Sequence, residues 1–231
     1  MNLRQKLYDH LFGDVNLSIS TPSLYYSFLQ RVKQDTKILD IGVGTGIYFE
    51  DPRCIKLIKE KNIKIVGIDI NRPDIELATR RIEVSKLEGY ASAKWMNLFE
   101  YDGDLNEFDV ILFCESYPVI PRDLMRKMLM FIVHSKGFSG ELVFINNVED
   151  DPTWIQKNTK DLLKYVTFGI EFGRLVSTGD MMGMFTSVGI ENEVTFELLA
   201  SSTPNYALFR NRVKLPGLNC EMKQYAIFVK T

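Results

Sequence analysis

Asp40 stands two residues before three glycines spaced by two, in the run Lys37-Ile38-Leu39-Asp40-Ile41-Gly42-Val43-Gly44-Thr45-Gly46. Glycines at alternating positions let the backbone approach a ligand where any Cβ would collide. A carboxylate beside such a turn repels pyrophosphate and accepts hydrogen bonds from a cationic amino group. A second carboxylate, Asp69, closes the apolar run Lys64-Ile65-Val66-Gly67-Ile68-Asp69-Ile70, 23 residues past Gly46. One carboxylate at a strand end accepts from both hydroxyls of a ribose, and charge-assisted bonds of this kind contribute about 1.5 to 3 kcal/mol each when shielded from water. The competing role for Asp69 is structural, ending a strand and helping to start the helix after Pro73.

The dinucleotide fingerprint G-x-G-x-x-G needs a third glycine to pack helix on strand, yet Ile47 and Phe49 hold the two places where it would fall. Asp40 to Gly46 instead resembles the first motif of the class I, Rossmann-like S-adenosylmethionine-dependent methyltransferases, an acidic residue followed by G-x-G-x-G. The resemblance implies S-adenosylmethionine as cofactor, S-adenosylhomocysteine as product and no metal. It implies cofactor contacts at Asp40, Ile41, Gly42, Gly44, Thr45 and Gly46, at Asp69 and Ile70, at Asn97 and Leu98 after the third strand, and at Cys114 at the end of the fourth. Asn97 takes a place where family members often set an acid against adenine. An amide there must present its oxygen to accept from the exocyclic amine, and an ordinary turn asparagine is the alternative.

The same resemblance places chemistry in the loop Phe113-Cys114-Glu115-Ser116-Tyr117-Pro118. The N-P-P-Y-like motif of amide and adenine methylases is missing from it. So are the paired glutamates of arginine methylases and the histidine base of many oxygen methylases. Glu115 and Tyr117 are the polar groups on hand, Glu115 to remove or attract the acceptor's proton and Tyr117 to orient the acceptor. Glu115 as a cofactor holder or helix cap is the competing role. Methyl transfer is an in-line displacement with a good sulfonium leaving group, so positioning and desolvation supply much of the acceleration.

These residues must be carried by strands and helices in alternation. Apolar runs at Lys64–Ile70, Ala93–Met96, Phe108–Cys114 and Glu141–Asn146 read as strands after the first at Ile38–Ile41. Helical spacing covers Pro73–Leu87 with a stop at Gly89, Pro121–Lys136 with a stop at Gly137, and Ser177–Val188 with a stop at Gly189. Glu193–Leu199 and Gln224–Lys230 are two final strands able to pair as an antiparallel edge. The expected fold is therefore α/β, a Rossmann-like doubly wound sheet, mostly parallel and seven-stranded with an antiparallel final strand and helices on both faces.

The 231 residues suit one domain, with 1–32 an N-terminal helical lid or cap, 33–150 the cofactor-binding half, and 151–231 a substrate-side segment with the final strands. Hydrophobic content of 45%, charged content of 25% and a net charge of −2 are those of a soluble globular chain with no pull towards DNA or anionic membrane. Cys54, Cys114 and Cys220 are scattered and offer no zinc spacing with His10 and His134, which points to a reduced, cytoplasmic setting. No export signal or membrane span is expected. Tyr8, Phe12, Tyr25, Tyr26 and Phe28 either close a lid or pack a helix on the sheet, packing being favoured. Trp154, Tyr165, Phe168, Phe172 and Arg174 bend around Gly169 and Gly173 as a candidate pocket wall, and Lys157, Lys160 and Lys164 form a solvated face. Convergence of Tyr25, Tyr26, Trp154 and Phe172 would suit an aromatic or cationic acceptor.

The function expected is methyl transfer to an oxygen or nitrogen, less often a carbon, of a small molecule. A protein or RNA acceptor is the first alternative, and a non-catalytic S-adenosylmethionine-binding regulatory or partner subunit the second. A nicotinamide oxidoreductase fits Asp69 but not Asp40 or the missing third glycine.

Overall fold

The computed structural model describes residues 17–116, 120–148, 178–190, 194–202 and 222–231. Five strands run parallel: β1 (Lys37–Ile41), β2 (Lys64–Asp69), β3 (Ala91–Trp95), β4 (Val110–Cys114) and β5 (Glu141–Val148). β7 (Met222–Lys230) pairs antiparallel with both β5 and β6 (Val194–Ser202), giving the order β3-β2-β1-β4-β5-β7-β6. The chain winds outward from β1 to β3, then returns to lay β4 against the other side of β1. That reversal opens a crevice beyond the carboxyl ends of β1 and β4, where open α/β sheets bind ligands.

All five residues of β4 and four of the five in β1 are buried, as strands covered on both faces require. Side chains alternate between two cores. Leu39, Ile111, Phe113 and Phe144 face α4 (Arg122–Met130) and α5 (Thr178–Ser187), with Phe113 and Phe144 stacked 4.9 Å apart. Ile38, Ile65, Leu112 and Val143 face α1 (Leu17–Arg31), α2 (Pro52–Glu60) and α3 (Arg72–Val84). Leu24, Tyr25, Phe28 and Leu29 of α1 are buried in this second core, so the described part of the N-terminal segment packs on the sheet.

Three local features depart from the expected elements. α2 is an additional helix, started by Asp51, whose Oδ1 accepts from the backbone N–H of Arg53 at 2.8 Å and of Cys54 at 3.4 Å, with Pro52 in the first turn. α3 stops at Val84 rather than Leu87 because Lys86 adopts φ 53°, and the N–H groups of Leu87 and Lys86 close on the carbonyls of Ile82 and Glu83 at 2.9 and 3.0 Å. α4 ends early in a π-turn, Phe131–Ser135, before the expected stop at Gly137, where φ is 60°. No described helix is long and apolar enough to cross a membrane. Tyr8, Phe12, the segment 151–175 with Trp154 and Phe172, and Tyr117 lie outside the described residues.

Candidate functional site

The glycine turn leaves β1 and is tied to β2 by the N–H groups of Gly42 and Val43, which donate to the carbonyl of Ile68 at 2.9 and 3.3 Å. Gly42 has φ 79°, and a Cβ there would stand 2.9 Å from Cβ of Ser116, so the turn and the segment after β4 touch only because residue 42 lacks a side chain. Gly44 has φ 54°, and a Cβ there would meet nothing within 4 Å. Its outer side is open space, which a ligand bed requires. From α3, Arg81 holds the turn's shape: Nη1 donates to the carbonyl of Thr45 at 2.7 Å while Nε pairs with Glu50 Oε2 at 3.1 Å.

The two acidic residues differ sharply in setting. Asp69 is half-buried at the end of β2, its Oδ2 accepting from the N–H of Gly44 at 3.0 Å and its Oδ1 from the N–H of Asn71 at 2.8 Å. Beside it Ile70 is 72% exposed, an apolar side chain left uncovered next to the open turn, and its carbonyl accepts from Nε1 of Trp95 at 3.0 Å. Asp40 is fully buried, and its Oδ2 accepts from the hydroxyl of Tyr48 at 2.5 Å. Burial pushes its carboxyl up to about 7; the Tyr48 bond works against that rise and the charge of Asp69 adds to it. Asp40 Oδ1, the Tyr25 hydroxyl and Ser116 Oγ are buried with no hydrogen-bond partner among the described residues.

At the end of β4, Glu115 is a non-glycine residue at φ 54°, fixed by its N–H, which donates to the carbonyl of Ile145 at 2.7 Å. Such a conformation costs about 1 to 3 kcal/mol and is kept where surrounding structure enforces it. Cys114 is buried in the core, where burial raises its thiol well above the ordinary value, and Ile41 and Leu98 are buried too, so contact from these three to a ligand runs through backbone. Asn97 caps the short turn Leu98–Glu100, its Oδ1 accepting from the N–H of Phe99 at 3.1 Å, which is the turn-asparagine role.

The fold thus gathers Asp40, the three glycines, Asp69, Ile70, Glu115 and Ser116 around the carboxyl ends of β1, β2 and β4. Tyr48, Arg81 and Ser116 join that group although their residue types carry no motif; only the contacts made by the folded chain reveal them. A cavity of about 940 Å³ lies at the opposite, amino-terminal end of the sheet among Val32, Thr36, Asp109, Gly140 and Thr231, far from these groups. The site suits S-adenosylmethionine on three observations. The bed at Gly44 is open, an apolar surface and a carboxylate stand side by side at Ile70 and Asp69, and one oxygen of the buried Asp40, Oδ1, has no donor among the described residues.

Comparison with known proteins agrees with this arrangement. The family model for protein-L-isoaspartate(D-aspartate) O-methyltransferase matches residues 5–131, more than half of the chain. Among solved structures, a candidate O-methyltransferase from Nostoc punctiforme is 15% identical with a TM-score of 0.59; the match covers 90% of this chain and 55% of that one, so this chain spans about half its length. The YcgJ protein of Bacillus subtilis is 11% identical with a TM-score of 0.62, covering 91% of this chain and 98% of that one. A geranyl diphosphate C-methyltransferase from Streptomyces coelicolor, solved with Mg2+, geranyl diphosphate and S-adenosylhomocysteine, is 12% identical with a TM-score of 0.57, covering 89% of this chain and 76% of that one. At these identities the likeness is one of fold. No curated protein matches the sequence.

Proposed function

We propose that this chain, which belongs to the protein-L-isoaspartate(D-aspartate) O-methyltransferase family, transfers a methyl group from S-adenosylmethionine to an oxygen or nitrogen, less often a carbon, of a small-molecule acceptor. It is an S-adenosylmethionine-dependent methyltransferase. The cofactor supplies a methyl group on a sulfonium that departs as a neutral thioether. The protein's part is to hold and orient. The backbone of Gly42 to Gly46 forms the bed, and Asp69 accepts from the ribose hydroxyls. Ile70 offers an apolar face to the adenine beside Asn97 and Leu98, and Asp40 offers an acceptor to the amino group.

The observation that carries the catalytic assignment is Glu115 at φ 54°, directly after β4 and next to Ser116, which packs on Gly42. Strain of this kind is retained where the surrounding structure enforces it and clusters at functional sites, which supports a catalytic reading of Glu115. Glu115 attracts or removes the acceptor's proton, and Tyr117 orients the acceptor. The small-molecule class rests on the aromatic segment 151–175, expected to wall the acceptor pocket, which lies beyond the family match at residues 5–131. The family's own description favours a second reading, an isoaspartyl carboxylate in a peptide. A cytoplasmic setting accords with Cys54 and Cys114 as free, buried thiols.

The test is transfer of labelled methyl from S-adenosylmethionine to a panel of small hydroxyls, amines and carboxylates, run beside an isoaspartyl peptide and bulk RNA. Faster labelling of a small acceptor supports the proposal; preferential labelling of the peptide or RNA overturns the acceptor class.

A further inference from the structure

Asp40 presents an unusual account of charge. From β2 it feels Asp69, from β4 Cys114, from α1 Tyr25, and from the 3-10 turn Ile47–Glu50 it receives the hydroxyl of Tyr48. The neighbours that act on it are acidic or hydroxylic; the Tyr25 hydroxyl stands near enough to lower the carboxyl as a donor would, yet neither it nor any other described residue makes a hydrogen bond of ordinary geometry to Oδ1. A buried carboxylate with one oxygen unsatisfied is costly unless a donor, best a cation, completes it. Tyr48 is held firmly: its ring stacks on Tyr25 with centroids 3.5 Å apart and planes 8° from parallel, and Tyr25 in turn meets Phe28 edge-on at 5.9 Å. The tyrosine follows Gly46 by two residues, so its place is set by the same turn that forms the cofactor bed.

We propose that Tyr48 is a positioning residue for the cofactor: its hydroxyl occupies one oxygen of Asp40 and thereby reserves the other for the ammonium group of S-adenosylmethionine. This rests on the cofactor placement given above and adds a residue to it. Tyr25 is the brace, keeping the Tyr48 ring from rotating away. The ammonium binds best to the ionised carboxylate, so affinity for ligands that carry it rises with pH as Asp40 loses its proton, and the Tyr48 bond sets where that rise falls.

The experiment compares S-adenosylhomocysteine, which carries the ammonium, with 5′-methylthioadenosine, which lacks it, across about pH 5.5 to 9. Tyr48→Phe keeps the ring and removes the bond. It is expected to weaken S-adenosylhomocysteine about tenfold near neutrality, to move the inflection of its affinity to higher pH, and to leave 5′-methylthioadenosine unchanged. Tyr48→Phe in an Asp40→Asn background should cost nothing further, since the tyrosine acts only through that carboxylate. Equal losses for both ligands, or an unmoved inflection, would make Tyr48 a packing residue and overturn the proposal. If wild-type protein bound neither ligand, the cofactor placement itself would fail, which is a different result. Should Tyr48→Phe not fold, 3,5-difluorotyrosine at position 48 is a stronger donor in the same shape and must move the inflection to lower pH; no movement overturns the proposal as well.

Discussion

Asp69 Oδ2 accepts the backbone N–H of Gly44 at 3.0 Å, across 25 positions of sequence, so the ribose-side carboxylate and the open point of the glycine turn form one unit. On the proposed cofactor placement, losing Asp69 removes a ligand contact and loosens the bed. Asp69→Ala is expected to weaken S-adenosylhomocysteine by about a hundredfold, the loss of charge-assisted bonds to ribose, and to cost about 1 kcal/mol of stability through the Gly44 bond. Calorimetric titration and thermal unfolding of the same sample separate the two effects.

Gly44 and Gly42 predict opposite kinds of damage. At Gly44 a Cβ enters open space, so Gly44→Ala costs about 1 kcal/mol of backbone strain while a methyl group projects into the cofactor bed and lowers affinity by tenfold or more. At Gly42 the Cβ would stand 2.9 Å from Ser116, so Gly42→Ala forces the segment after β4 away and lowers stability as well as binding. Paired melting and titration curves check the contrast.

Arg81 serves the turn from below. Arg81→Met keeps the buried stem but removes the bond to the Thr45 carbonyl and the pair with Glu50, and should cost about 1 to 3 kcal/mol. The KM for cofactor rises severalfold with kcat at saturation little changed, because Arg81 shapes the bed and does not meet the acceptor. Steady-state kinetics at varied cofactor and fixed acceptor measure the split.

Asp40 gives the ligand-free protein a pH-dependent stability with a definite sign. Its carboxyl is raised from 3.8 to about 7 by burial, so the folded state holds the proton more tightly than the unfolded chain. The stabilisation is complete below about pH 4 and is lost as pH rises through about 7. The span amounts to about 4 kcal/mol at most. Asp40→Asn should flatten this decline between about pH 4 and 7 in urea unfolding, while S-adenosylmethionine, binding the ionised form, should counter it in wild-type protein.

The glycine turn, Asp69 and the parallel strands were legible because their signals are local: glycines where backbone must be bare, and apolar runs ending in a carboxylate. α3 shows where such signals mislead. Gly89 looked like the stop, yet Lys86 takes the left-handed conformation and the Leu87 N–H closes the helix on Ile82. The partner of Asp40 was hidden for another reason. Tyr48 reaches it through a short 3-10 turn and a ring stacked on a helix more than 20 residues earlier, contacts that no period of 2 or 3.6 encodes. Ser116 is known only by its approach to Gly42, and Cys114 shows the converse, a residue at the end of the expected strand whose side chain is turned into the core.

The most direct test of the central claim is calorimetric titration of the purified protein with S-adenosylmethionine, S-adenosylhomocysteine and NAD. Micromolar binding of the first two with no heat from NAD is predicted by a bed built from Gly42 to Gly46, Asp40 and Asp69. Binding of NAD alone, or silence from both sulfur ligands in a folded sample, would contradict it.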